Sequence, residues 1–445
     1  MTMDRSARVE RTLPALFDQL AEARTPDYLE AAIEQASSRP QRPAWTFPER
    51  WLPVELTSAR VPATRFPVRQ LVVLALIAVL VAAALAVYVG SHRQSLPAPF
   101  GPAANGLIPF ESGGDIYVGH LATGATRLLA TGPERDWGPG FSLDGTKIGF
   151  IRDVPLDADI VGGDVYVMNS DGSSLVKVTP QPIRDVGYVM WTPDGRLAII
   201  EPTTSTTACG AVTVCTVNEL YFLATDGSGE IERIPSSAGI VDLQWRPPDG
   251  KEILYRALVD GKYGLFVMNP DGTGNRAITE REYGEEMALD FGNFVYSGDG
   301  TRIFFQRATD DADRGQPGCC QLYAMNADGS DYHEFIPNLG DAWDGQPVAS
   351  PDGKRIAFWH HPNEGPVQGV AVVDVGGGPL TQTGPIVSSD ATLHWVWSPD
   401  SSKILMYPDD GSSRFAYLLD PDGGPWTTVP WESGPDLDWQ RLAMD

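Results

Sequence analysis

The sequence predicts an all-β seven-bladed β-propeller whose N- and C-terminal strands close one blade, preceded by a single transmembrane helix and a short helical tail. Three observations carry this. A strand–corner–strand motif recurs six times, a second hairpin follows five of the copies, and one uncharged apolar run interrupts the N-terminal region.

The six copies read FSLDGTKIGF from Phe141, WTPDGRLAII from Trp191, WRPPDGKEILY from Trp245, YSGDGTRIFF from Tyr296, ASPDGKRIAF from Ala349 and WSPDSSKILMY from Trp397. Each ends a strand, usually on an aromatic residue, and turns through a Pro-Asp-Gly-like corner. Pro presets φ, Asp bonds its own backbone, and Gly accepts the positive φ that closes the hairpin. The following run, such as Ile303 and Phe305 or Ile356 and Phe358, alternates with the period of a strand. The second hairpins are DVYVMNSDGSS from Asp164, ELYFLATDGSG from Glu219, GLFVMNPDGTG from Gly264, QLYAMNADGSD from Gln321 and FAYLLDPDGG from Phe415. The corner aspartates Asp144, Asp194, Asp249, Asp299, Asp352 and Asp400 are repeat-turn structural residues, 50, 55, 50, 53 and 48 positions apart. A four-stranded unit at that period is the mark of a propeller blade.

These motifs resemble the TolB-like, or WSPDG-repeat, β-propellers of bacterial periplasmic and surface proteins. The resemblance covers about residues 105–442, and it implies a fold, because the repeated motif is structural in that family too. The family often has six blades. Here the stretches LIPFESGG, DIYVGHLATG and TRLLATG supply three strands from Gly106, six complete blades follow, and PDLDWQRLAMD adds one last strand through Trp439. Joining first and last strands makes seven blades and hides open edges.

The tail and span read in order. Residues 1–70 form a cytoplasmic helical and proline-rich tail. Within 1–38, Val9, Leu13, Leu16, Phe17 and Leu20 recur at helical spacing, and a second helix starts at Thr25 as N-cap with Pro26 and Asp27 in its first turn. Two such helices bury too little apolar surface to stand alone, so 1–38 is expected to dock on a cytoplasmic protein. Residues 39–70 carry six Arg against two acids, with Trp45, Phe47 and Trp51 suited to a membrane interface. Leu71–Ser91 holds 21 residues without a charge, about 30 Å of helix, which matches a bilayer core. The Arg excess before it places the N-terminus in the cytoplasm and the propeller outside the plasma membrane as a single-pass protein. Residues 92–105 read as a linker and 106–442 as the propeller. The layout resembles membrane-bound anti-sigma regulators, although residues 1–70 contain neither Cys nor His and so lack the zinc motif of many such tails.

Residues 71–445 carry 23 basic and 49 acidic groups, a net −26 that repels phosphate backbones and excludes nucleic acid as a partner. Chemistry is sparse. Cys209 and Cys215, six apart in a Thr-rich loop, are a candidate disulfide, and Cys319 and Cys320 are adjacent. Neither pair has zinc spacing. His360, His361 and His394 read as locally bonded, and the acid runs Asp153–Asp164 and Asp310–Asp313 as solvated loops. No Gly-x-Ser-x-Gly elbow is present. The sequence therefore points to no catalytic residue, no cofactor and no metal. It implies a non-enzymatic module that binds a protein or an envelope ligand on its loop face, with a hydrolase or lyase in the central channel as the alternative.

Overall fold

The computed structural model describes residues 73–81 and 96–444, apart from loop stretches at 158–159, 185–188, 210–211, 236–238, 260–261, 280–282, 285–292, 308–320, 337–342 and 363–366. The chain divides into two units, Met1–Arg93 and Gln94–Asp445. In the first, residues 73–81 form a helix with exposed apolar side chains. Among the described residues no helix is long and apolar enough to cross a membrane. The expected helices of 1–38, the proline-rich stretch and the ends of the 71–91 span lie outside the described residues, as do Cys319, Cys320 and Asp310–Asp313.

The second unit is an all-β propeller of seven antiparallel sheets. Blade 1 has three strands, Ile108–Ser112, Asp115–His120 and Ala125–Ala130. Blades 2 to 7 each begin with an inner strand, in order Asp136–Phe141, Val189–Trp191, Ile240–Trp245, Phe294–Tyr296, Trp343–Ala349 and Thr392–Trp397. Three more strands pair outward from each, and the inner strands of blades 2 and 3, 5 and 6, and 6 and 7 touch one another. Blades stack through apolar faces. Phe150, Ile148 and Phe141 of blade 2 pack with Ile116 and Val118 of blade 1, and the same arrangement recurs at each seam.

The corners show why the motif repeats. In five of six, a Ser or Thr two residues before the Asp donates its hydroxyl to Oδ1, at 2.6 Å for Ser142–Asp144, Ser297–Asp299, Ser350–Asp352 and Ser398–Asp400, and likewise for Thr192–Asp194. The same Oδ1 accepts the backbone N–H two residues on, from Thr146, Thr301, Lys354 and Ser402 at 2.9–3.2 Å. The hydroxyl oxygen in turn accepts the N–H that opens the next strand, from Lys147, Arg196, Arg302, Arg355 and Lys403 at 2.9–3.0 Å. Sequence reading found the Asp and missed the hydroxyl. Blade 4 differs, with Arg246 in the hydroxyl position bound to Glu252 at 2.9 Å and a cis Pro247–Pro248 bond. In blade 7 Ser401 stands where the others have Gly, at φ 63°.

Both chain ends close the ring. Ala104 pairs with Leu442 and Asn105 with Arg441; Gly106 N donates to Gln440 O and Gln440 N to Leu107 O, each at 2.9 Å. Trp439 is 4% exposed among Ile108, Phe110, Leu405 and Tyr407, in the seam between blades 7 and 1. Residues 96–105, part of the expected linker, thus belong to the propeller. The run Asp153–Asp164 is another departure from expectation. Outside 158–159 it lies on the hairpin of Lys147–Asp157 and Ile160–Asn169, with Asp164 paired to Lys177 at 2.7 Å. Truncating Trp439 to Ala removes the ring that fills the closing seam, at a cost of about 3–5 kcal/mol. Thermal unfolding of the full-length chain should show a loss of that size, and an unchanged melting temperature would mean that the C-terminal strand does not close the ring.

Candidate functional site

The inner strands border the axis with one free edge, so their half-exposed positions line a channel. Three residues before the last residue of the strand stand Gly138, Asp242, Asn293, Gln346, His394 and, on the closing segment, Asp436, all partly buried, while the blade 3 counterpart lies outside the described residues. Adjacent members touch: Asp436 Oδ2 accepts Gly138 N at 3.1 Å. Three inner strands are irregular here, with register shifts between Trp137 and Gly140, Ile240 and Asp242, and Gly345 and Val348. Such bulges re-aim side chains. Gln346 is held at φ 52°, uncommon for a residue with a Cβ, and its N–H donates to Gln306 Oε1 at 3.2 Å.

Carboxylates at this end are matched with bases. Asp136 faces Arg152 across the ladder, with both guanidinium nitrogens at 2.6 Å. Asp242 faces Arg256, and Asp344 faces His360, whose Nδ1 lies 2.7 Å from Asp344 Oδ1. Burial is the largest influence on Asp242 and pushes its carboxyl up to about 6, against the Leu243 N–H and Arg256. Burial likewise raises Asp344 against the His360 contact, and raises Asp436 against Gly138 N and Arg135. Burial lowers His394 although Asp409 and Asp436 lie near it.

The opposite end of the channel is stopped by the chain itself. Arg441 Nη2 holds the carbonyls of Ala98 and Gly101 at 3.0 and 2.6 Å, and Ala103 N donates to Pro399 O of the blade 7 corner at 2.9 Å. From there the Phe100 ring reaches 3.3 Å from the position a Cβ would take on Gly250, at the blade 4 corner beside Pro193 of blade 3. Blades 7 and 1 stand opposite blades 3 and 4 in a seven-membered ring, so residues 98–103 cross the axis. Between stopper and polar level lie Met190, Gln244, Val348 and Val396, all half-exposed. The channel is a cup with a polar rim and a more apolar base.

The corner aspartates sit outside this rim and serve the turns. Cys209 and Cys215 lie on the blade 3 hairpin, far along the sheet from the inner strand, where Cys215 pairs with Thr207 and Cys209 with Val212. His360 and His394 lie on strands, not loops. Among the described residues no group of three or more potential ligands forms a metal site. The rim escaped the sequence because its members differ in type and are related only by their distance from the end of the strand.

No protein-family model matches the chain. It is similar to an uncharacterized protein of Agrobacterium fabrum, 23% identical over 254 residues that span 48% of this chain and 81% of that protein. Among solved structures it is similar to TolB from Acinetobacter baumannii, at 18% identity and TM-score 0.46 over 75% of this chain and 81% of that one. It is also similar to an oligogalacturonate lyase in complex with manganese, at 14% identity and TM-score 0.49 over 73% and 84%. A third is the β-propeller domain of the Trilobed protease from Pyrococcus furiosus, at 16% identity and TM-score 0.48 over 76% and 97%. No activity, metal or partner passes from these proteins to this chain, whose fold rests on its own strand pairing.

The closing segment carries a titration that can be read out. Asp438 Oδ2 accepts Phe141 N, and burial, the largest influence, pushes its carboxyl up to about 6 against that bond and Arg441. A carboxyl raised above its unfolded value of about 4 favours folding while neutral, and that contribution is lost as pH rises through about 6. Asp438→Asn keeps an acceptor for Phe141 N and cannot ionise. Its melting temperature relative to the wild-type chain should climb between about pH 4 and pH 7. A difference that stays flat with pH would show that Asp438 is not desolvated.

Proposed function

We propose that this chain is a membrane-tethered, non-enzymatic propeller that binds its ligand in the one-ended channel. The observation that carries the reading is the stopper formed by residues 98–103, which leaves the polar rim as the floor-backed entrance of a cup. Pockets that combine an apolar wall with a few convergent polar groups are the usual place for a ligand. Tethering is supported by the uncharged run 71–91 and the arginines before it. Residues 1–38, with their two apolar stripes, are then a docking element for a cytoplasmic protein, which makes signalling across the membrane the role of the tail.

A ligand carried through purification gives the first test. Native mass spectrometry of the detergent-solubilised chain should detect bound mass in wild type and lose it in His394→Trp, which fills the rim, at an unchanged melting temperature. Equal bound mass in the Trp variant would place the ligand elsewhere. Orientation is tested by a reporter active only outside the cytoplasm, fused after Asp445. It should be active, and an inactive fusion paired with an active N-terminal one reverses the topology.

One contact favours a second reading, a hydrolase or lyase working from the same channel. A buried carboxyl group, Asp344, at 2.7 Å from Nδ1 of His360 orients the imidazole as the partner of a general base would. Turnover of a bound ligand that His360→Gln abolishes without weakening binding would select the enzyme.

A further inference from the structure

We infer that the rim is built for a neutral, hydroxyl-rich ligand, a short glycan segment, rather than for a cationic or an anionic one. This rests on the channel reading above and assigns its ligand class.

The rim mixes hydrogen-bonding types. Asp242 and Asp436 accept, Asn293 and Gln346 both donate and accept, and His394 supplies an imidazole. Sugar hydroxyls are donors and acceptors at once, and such a mixed set satisfies both halves. Charge decides against the alternatives. Two carboxylates in a channel suggest a cationic ligand, but an arginine already lies near each. Arg256 is the cross-strand partner of Asp242, and Arg135 stands near Asp436 while also pairing with Glu111 at 3.2 Å. Deeper in the seam the same matching holds for Asp136 with Arg152. An incoming ammonium would have to compete with these partners, so it gains little. An anion meets a chain of net charge −25 and no Lys or Arg among the six rim positions. A neutral polyol meets neither obstacle, and charge-assisted bonds from its hydroxyls to the two oriented carboxylates are the strong kind.

The cup also suits a chain end. Residues 98–103 close the far mouth, so the end of a linear oligomer that enters by the rim rests above Phe100. The less polar level of Met190, Val348 and Val396 offers the C–H faces of a sugar ring an apolar wall.

Trp137, Trp245 and Trp395 lie half-buried on three inner strands and serve as reporters. Tryptophan fluorescence of the detergent-solubilised full-length chain is followed while it is titrated with cellohexaose, maltohexaose, a sulfated counterpart of either, and hexalysine. The expected result is saturable binding of a neutral hexasaccharide, weakened about tenfold by Asp242→Asn and by Asn293→Ala, with no binding of the sulfated probe. Both variants are checked for an unchanged melting temperature. Should either fall, Gln346→Gly, at a position whose φ is 52° and suits glycine, replaces it. Binding of hexalysine alone, weakened by the same substitutions, overturns the ligand class and leaves the channel reading in place. Binding of any probe that is the same in wild type and variants overturns both. Absence of binding by every probe overturns the class.

Discussion

Five of the seven blades depend on a carboxylate clamped at the turn into their second strand. The Asp Oδ1 takes a hydroxyl from two residues before and a backbone N–H from two residues after, and the hydroxyl oxygen takes the N–H that begins the next strand. Two backbone N–H groups that a tight corner would otherwise leave unpaired are satisfied by two side chains that also bond each other. That local closure fixes where the inner strand ends, and so which residue becomes the aromatic plug of the seam. Trp191 and Trp397 use the position fully: their Nε1 atoms donate to Gly140 O and Val348 O of the preceding blade at 3.0 Å. The turn thereby sets the register of one sheet against the next. Corners also touch each other. Ser401 Oγ accepts Asp352 N at 2.9 Å, and its carbonyl accepts Arg355 Nη2 at 2.8 Å, which gives a reason for a serine to persist at φ 63° where glycine is the rule.

Closure shares that logic with different parts. The last strand has no Asp-Gly corner, and side chains replace it. Gln440 Nε2 donates to Gly145 O of the blade 2 corner at 2.8 Å, its Oε1 accepts Leu107 N at 3.1 Å, and Arg441 reaches back to Ala98 and Gly101. Gln440 is therefore bonded to both ends of the chain and to the neighbouring blade. The residues that seal the ring also hold the segment that stops the channel, so the cup and the closed propeller are one construction.

Much of the fold was legible because it repeats. The corner aspartates, the aromatic ends and the alternating strands recur at one period, and strand count at the two termini gave seven blades. The hydroxyl before each Asp was equally periodic, at Ser142, Thr192, Ser297, Ser350 and Ser398, and was passed over because Ser and Thr are common in turns. The rim was not legible for a physical reason. Asp242, Asn293, Gln346, His394 and Asp436 come together only when seven inner strands converge on an axis, and bulges shift two of those strands by a residue or more. Cross-strand pairing of Asp344 with His360 needs the register, which alternation alone does not fix.

The aspartates of the propeller fall into two groups by how their surroundings treat them. At the corners burial works against ionisation, yet hydroxyl and backbone donors outweigh it, and Asp144, Asp194, Asp299, Asp352 and Asp400 are held below the ordinary carboxylate range. Around the channel the balance reverses. Asp242, Asp344, Asp436 and Asp438 are buried with fewer donors, and each is pushed up. A turn needs its carboxylate saturated, because every lone pair there closes the loop. At the rim and in the seams fewer donors reach the carboxyls, so acceptor capacity is left over. One residue type is used in both ways, and the direction of the shift separates the aspartates saturated at the turns from those desolvated at the rim and in the seams.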